Sequence, residues 1–424
     1  MKLLVALLLT ALCAAAEVKT LTLRQALDMA MAQNPDLLLA RLDQQKARSQ
    51  VTVTRDPFSP KIYAGSGAAY TYGFPSSIEG SAPAIVQVKT QMALFNRPLS
   101  YQVAQSNEAA RGAAIDVARK QDEVIYRVTS LYLDAEQAGR SLDAARRQAA
   151  SLLRVRELMD QRVAEGRELA IESKKANLAA LRANQHLDTL SLDLLNAEGA
   201  LGLALGLGPD DRVRAASEER APLAVGESEE ASIEAALEGS KELKTLESNM
   251  QAKMLEIKSY RAERLPKINL VAQYSLFAKS TYQAYFTEFQ RNNAQIGMSI
   301  EVPLITGRSG AALVSESQAD IAKLRIEVSR TRARITNDLR AAYQDLKRAE
   351  MAREVARADL DLAREELTLD LAQMDEGRMP LAKVEAARAT EDEKWLAYYE
   401  SQHTAERARL NVLERTGTLE ALMR

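Results

Sequence analysis

Two hydrophobic periods take turns along this chain. Four stretches carry apolar and polar residues in alternation. The first, about 61–73, sets Ile62, Ala64, Ala68, Tyr70 and Tyr72 against Gly65, Gly67 and Thr71. The second, about 85–95, sets Val86, Val88, Met92 and Leu94 against Gln87, Lys89 and Gln91. The third, about 267–277, sets Ile268, Leu270, Ala272, Tyr274 and Leu276 against Asn269, Gln273 and Ser275. The fourth, about 294–304, sets Ile296, Met298, Ile300 and Val302 against Gln295, Ser299 and Glu301. A period of two predicts strands with two unlike faces. Runs of about ten residues have the length of tilted strands that cross a bilayer.

Elsewhere the period is seven. From Val117 it runs through Val124, Leu131, Ala138, Ala145, Leu152 and Met159, with Val128, Ala135, Leu142, Ala149 and Val163 four residues after members of that column. This is a heptad seam, and its many alanines let helices approach closely. Long helices are expected over about 98–164, 168–206, 308–376 and 380–416. The breaks at Glu165-Gly166-Arg167 and Glu376-Gly377-Arg378 mark hairpin tips, because glycine accepts the left-handed turn that ends a helix. Pro380 suits the start of the returning helix.

The whole pattern occurs twice. Ser59-Pro60-Lys61-Ile62-Tyr63 returns as Leu265-Pro266-Lys267-Ile268-Asn269 at a spacing of 206 (266 − 60). Tyr132, Gly166 and Gly206 return as Tyr343, Gly377 and Gly417 at a spacing of 211 (343 − 132). Each proline stops a helix ahead of a strand, because it lacks an N–H and crowds the preceding turn. So long a period is a duplicated domain rather than a solenoid unit. The expected organisation is a first repeat over 17–206, a linker over 207–230, a second repeat over 231–417 and a tail over 418–424.

Composition narrows the class. The segment 1–16 has one lysine, an apolar run and Ala14-Ala15-Ala16, the form of a secretory signal. Cys13 is the only cysteine, and Leu12 before it is too bulky for a lipoprotein cut, so the exported chain is expected to hold together by packing alone. A net charge of −2 gives no footprint for nucleic acid. His186 and His403, the only histidines, stand in no ligand spacing. No phosphate loop or activated nucleophile is present, and Glu365-Glu366 and Asp392-Glu393 read as solvated helix faces. Neither enzyme nor cofactor is expected.

Strands in lipid leave no open edges, so four cannot close a barrel alone. Two chains would pool eight strands and three would pool twelve. All six Phe (58, 74, 95, 277, 286, 289) lie in or beside the strand regions, joined by Tyr282 and Tyr285, as an interfacial belt requires. A soluble periplasmic coiled-coil scaffold is the alternative that the helices alone would favour.

The chain resembles the outer membrane efflux protein family, the TolC-like exit ducts. The resemblance rests on Leu23-Arg24-Gln25-Ala26-Leu27 with Asn34-Pro35-Asp36-Leu37, on Pro60 and Pro266, and on Val302-Pro303-Leu304-Ile305-Thr306-Gly307-Arg308. The paired tyrosines, tips and terminal glycines complete it. At Leu94-Phe95-Asn96-Arg97 the first copy lacks the family's glycine. The resemblance implies a homotrimer, with twelve strands forming one outer-membrane barrel and twelve helices a periplasmic tunnel. It implies passive export from an inner-membrane transporter through a periplasmic adaptor (membrane fusion protein). This places the chain in the outer membrane of a Gram-negative-type bacterium, extending into the periplasm. The polar strand residues Gln87, Lys89, Gln91, Asn269, Gln273, Gln295 and Glu301 would then line the barrel. Gly166, Arg167, Gly377, Arg378 and Pro380 would meet the adaptor. The family commonly carries gate aspartates six and nine residues past the second tip glycine. Those places here hold Lys383 and Ala386.

Overall fold

The structure is a computed structural model that describes residues 18–66, 84–216, 223–226, 228–277, 292–305, 307–376 and 378–419. Outside them lie the expected leader, residues 67–73 of the first alternating stretch, Phe74, Tyr282, Tyr285, Phe286, Phe289, Thr306, Gly377 and the end of the tail. In chain order the elements are β1 (Val18–Leu21), α1 (Leu23–Gln33), α2 (Pro35–Arg55), β2 (Lys61–Gly65), β3 (Ala84–Phe95), α3 (Arg97–Ala164), α4 (Ala170–Ala204) and β4 (Arg212–Ala215). There follow α5 (Glu229–Gly239), α6 (Lys241–Ala262), β5 (Lys267–Phe277), β6 (Asn292–Glu301), α7 (Ser309–Asp375) and α8 (Leu381–Thr416). The chain is mainly helical with few strands. At 1.5 Å per residue, the 68 residues of α3 span about 100 Å. No described helix is both long and apolar enough to cross a membrane.

The chain divides into two units. One comprises residues 1–40, 117–241 and 331–424. Its core joins Leu27, Leu37, Ile125, Val128, Tyr132, Leu201, Leu205 and Leu410. Within it α3 lies between α4 and α8: Ser173 on α4 donates to Asp160 on α3, and Arg147 on α3 pairs with Asp392 on α8 at 3.4 Å. Beyond α8 lies α7, bound through Lys394–Asp359 at 3.0 Å and Arg409–Glu350 at 2.7 Å. Two neighbours explain why α3 buries more than its heptad columns. Val128, Ala135, Leu142 and Ala149 are buried as the period predicts, but so are Ile125, Tyr132, Leu133 and Ala144.

The strands β1 and β4 pair in parallel, Val18 with Arg212 through Leu21 with Ala215. Thus the segment read as a linker carries a strand. Four residues are too short for a period, and only the buried Val213 marks the inward face. Tyr132 pins this strand pair: its hydroxyl donates to the carbonyls of Leu21 and Ala216, both at 3.1 Å. On α7, Tyr343 donates to the Gly226 carbonyl at 3.0 Å.

The Asn34-Pro35 motif has a double job. Asn34 Oδ1 accepts from the Leu37 N–H at 3.1 Å and caps α2, while Nδ2 donates to the Ala204 carbonyl at the end of α4. Next to that carbonyl the chain turns at Gly206, φ +84°, where a Cβ would stand 2.6 Å from the Gln33 carbonyl oxygen. Only glycine fits there.

The second unit, residues 41–116 and 242–330, holds a four-stranded antiparallel sheet in the order β2-β3-β5-β6. In the same unit, helical segments are tied by buried and half-buried side chains. Glu256 on α6 accepts from Gln105 of α3 at 3.0 Å and from Ser317 of α7 at 3.2 Å. Asn96 explains the missing glycine: its Oδ1 accepts from the Leu99 N–H at 3.1 Å, so a side-chain cap starts α3. Before α7, by contrast, stands Gly307 with φ +66°.

Two details of the strands differ from strict alternation. In β3 a bulge falls between Ala93 and Phe95, so Phe95 rather than Leu94 stands opposite Ile268. Also β6 ends at Glu301, before Pro303, which leaves Val302 beyond the ladder.

Candidate functional site

The register sorts the sheet into two chemically distinct faces, because directly opposite residues share a face. One row reads Tyr63, Lys89, Gln273, Gln295 across β2, β3, β5 and β6. The next reads Gly65, Gln87, Ser275, Asn293, and on the other side lies Lys61, Gln91, Val271, Gly297. Asn269 stands opposite Ser299 and Lys267 opposite Glu301. All seven residues expected to line a lumen therefore fall on one face. The opposite face carries Ile62, Val88, Met92, Leu270, Ala272, Ile296, Met298 and Ile300. Ile296 is 79% exposed and Met298 67%, far from what a soluble core would leave. Among the described strands, β2 and β6 each have one neighbour, so both sheet edges are open.

The two tips are built alike. At the first, Gly166 has φ +71°, its N–H donates to the Val163 carbonyl, and the Arg167 N–H reaches back to the Arg162 carbonyl at 2.9 Å. This satisfies carbonyls that the end of α3 would leave bare. At the second, the Arg378 N–H reaches the Gln373 carbonyl at 2.9 Å, the same five-residue bond 211 positions later (378 − 167). Arg167 pairs with Glu165 at 3.1 Å and Arg378 with Glu376 at 3.0 Å. Both arginines are exposed, each paired within its own tip. Pro380 caps α8 in extended conformation, and its carbonyl accepts from the Lys383 N–H at 2.9 Å. Lys383 itself is exposed.

The link between hairpins is one that periodicity alone did not reveal. Near the tips Arg154 Nε of α3 lies 3.4 Å from Glu385 Oε2 of α8, and seven residues back Arg147 Nε meets Asp392 Oδ1 at the same distance. Arg388 adds a bond to Glu385 Oε1 at 2.7 Å. Farther along, Asp134 of α3 accepts from His403 Nε2 at 2.8 Å and from Arg407 at 2.8 and 3.1 Å. Reading Asp392 as a solvated face is thus corrected. It is buried between helices, and burial raises its carboxyl above the ordinary value although Arg147 opposes this. Burial would also raise Asp134, but the His403 hydrogen bond and the Arg407 and His403 charges outweigh it and lower the carboxyl. The signal was present as heptad-spaced Arg147 and Arg154 facing Glu385 and Asp392, but pairing them requires the antiparallel register of α3 on α8. His186 is exposed on α4. Among the described residues no cluster could hold a metal ion.

The chain shares its fold with solved structures of membrane and outer membrane proteins. The chain matches a membrane protein from Pseudomonas aeruginosa with TM-score 0.76 at 16% identity, over 95% of this chain and 91% of that one. It matches the outer membrane protein VceC from Vibrio cholerae with TM-score 0.73 at 15% identity, over 93% and 96%. It matches the Campylobacter jejuni CmeC outer membrane channel with TM-score 0.74 at 15% identity, over 93% and 85%. At these identities the likeness is one of fold. The family model described as outer membrane efflux protein matches residues 26–207, which bears out the resemblance carried by the sequence motifs. No curated protein matches the chain.

Proposed function

We propose that this protein is the outer membrane exit duct of a tripartite efflux or type I secretion system. It passively conducts substrate from an inner-membrane transporter and periplasmic adaptor to the exterior. The observation that carries this reading is the four-stranded sheet: every charge on its described strands lies on one face, the other face is apolar and exposed, and both edges are open. Exposed apolar side chains fit lipid, and open edges in lipid must be paired by further strands.

The partner strands come from copies of the same chain. Three chains give a twelve-strand barrel in the outer membrane that continues into a twelve-helix periplasmic tunnel. The helical unit supports this separately. Its interior helices are α3 and α8, and its edge helices α4 and α7 carry exposed apolar stripes at heptad spacing. These are Ile171, Leu178 and Leu192 on α4 and Val355, Leu362 and Leu369 on α7. An edge stripe from one copy can pack against that of the next. Recurrence of elements supports a tandem repeat: Leu23–Gln33 and Pro35–Arg55 return as Glu229–Gly239 and Lys241–Ala262.

Six tips per trimer would present Gly166, Arg167, Gly377, Arg378 and Pro380 to the adaptor, with Lys383 beside the mouth. Both tip arginines keep exposed guanidinium groups that can donate to partner carboxylates or carbonyls. Export energy would come from the transporter, so this chain acts as a channel and not as an enzyme.

Membrane fractionation tests the proposal. The protein should sediment with outer membranes, require detergent, and run as a trimer on a gel that collapses to monomer on heating. A monomer recovered from the soluble periplasmic fraction would support the coiled-coil scaffold instead.

A further inference from the structure

The four-stranded sheet β2-β3-β5-β6 contains four charged residues among its described strands, Lys61, Lys89, Lys267 and Glu301, and the register places all four on the polar face. Three of them are answered locally. Lys61 is ion-paired with Asp56, just before the strand. Lys267 stands directly opposite Glu301 at the end of the β5–β6 ladder. Lys89 differs. It sits at the middle of β3, exposed, between Tyr63 and Gln273, with Gln295 completing the row. The adjoining row of Gly65, Gln87, Ser275 and Asn293 carries no charge. Among the described residues Lys89 has no carboxylate partner. The segments between paired strands, 67–83 and 278–291, hold Glu79, Lys279, Glu288 and Arg291, whose formal charges cancel.

We propose that Lys89 sets the ion preference of the barrel, where its three copies form a ring of unneutralised positive charge that favours anionic over cationic solutes. This rests on the trimeric-barrel reading above. Lysine suits the role, because its compact, strongly hydrated ammonium sits on a flexible stem that can reach into a water-filled lumen. The flanking Gln87, Gln91, Gln273 and Gln295 are polar but uncharged, so they hydrate the wall without screening the ring. Three charges roughly 10 Å from the axis of such a barrel bias the anion-to-cation permeability ratio on the order of threefold or more at 0.1 M salt. The bias grows at 0.01 M, where the Debye length lengthens from about 10 to about 30 Å.

The test is the reversal potential of the purified trimer in planar bilayers under a KCl gradient. Lys89→Gln should shift it toward cations by on the order of threefold in permeability ratio at 0.1 M, with a larger shift at 0.01 M. Lys89→Glu should shift it further. Lys89→Cys removes any dependence on how a charge variant folds, since Cys13 of the leader is the only native cysteine. Added to an open Lys89→Cys channel, a cationic thiosulfonate should restore the anion preference and an anionic one should reverse it. Conducting channels whose reversal potentials coincide for wild type, Lys89→Gln and Lys89→Glu at 0.01 M would overturn the proposal and leave the duct intact. Failure of the wild-type trimer to conduct at all would overturn the duct reading with it.

Discussion

Arg154→Ala removes the cation that α3 sends across to α8 nearest the tips. Among the described residues, Glu385 then loses its one ion-pair partner on another helix. Its side chain is 4% exposed, and Oε2 makes no hydrogen bond, facing Arg154 at 3.4 Å. Stripping one partner from a fully buried ion pair costs about 3–5 kcal/mol. Two features reduce this. Arg388 still holds Oε1 at 2.7 Å, so the carboxylate keeps a counter-charge. The Arg154 side chain is 57% exposed, so water already screens its side of the pair. We therefore expect a local loss of about 1–2 kcal/mol, which is a factor of about 5–30 in local opening. Hydrogen exchange on the detergent-solubilised trimer reads it directly. Amides over 383–392 should lose protection by that factor, while those around 404–412, held by Asp134, should not. Trp395, the only tryptophan, sits on α8 against Arg364 and Glu391 and gives a fluorescence check on the same helix. Asp392→Asn makes the contrast. The raised carboxyl of Asp392 means its charged form is disfavoured by folding, so its stabilising contribution exists at low pH and is lost as pH rises through the folded value. The asparagine should therefore be tolerated at pH 7. Unchanged protection over 383–392 in Arg154→Ala, or an equal loss over 404–412, would refute a tip-end clamp between the hairpins.

Four further outcomes follow from the geometry. Arg in place of Val88 or Leu270, on the apolar face, should cost about 2–4 kcal/mol near mid-membrane and lower the yield of folded trimer, whereas Gln91→Arg should assemble normally; equal tolerance would void the assignment of faces. Arg167→Glu combined with Arg378→Glu should abolish export in cells while the heat-modifiable trimer persists, and normal export would exclude docking through these arginines. Lys383→Asp should raise cation preference and introduce block by divalent cations from the periplasmic side; unchanged conductance, selectivity and block would place Lys383 away from the mouth. The lowered carboxyl of Asp134 contributes stability above the unfolded value of about 3.9, lost as pH falls through the folded one. Thermal midpoints of Asp134→Asn should accordingly lie below wild type at pH 7, with the gap beginning to close only as pH falls below about 4 and gone below the folded value.

The chain's local periods decided its elements. Alternation in 267–277 needs no partner to declare two faces, because successive strand residues point to opposite sides wherever the strand sits. Pro60 and Pro266 forbid continuation of the preceding helices, and Gly166 permits the turn after α3; these are properties of single residues. What depended on contacts across the chain was out of reach. Residues 18–21 and 212–215 become strands only by pairing with each other, so neither short stretch carries a signal of its own. The bulge before Phe95 arises from the register of β3 on β5. Asp392 looks solvated on α8 considered alone. It is buried because α8 packs between α3 and α7, and the same antiparallel packing sets Arg154 against Glu385 and His403 against Asp134. A heptad fixes which side of a helix is apolar. It leaves open how far one helix slides along the next, and that axial register, settled only by tertiary packing, decides which charges meet.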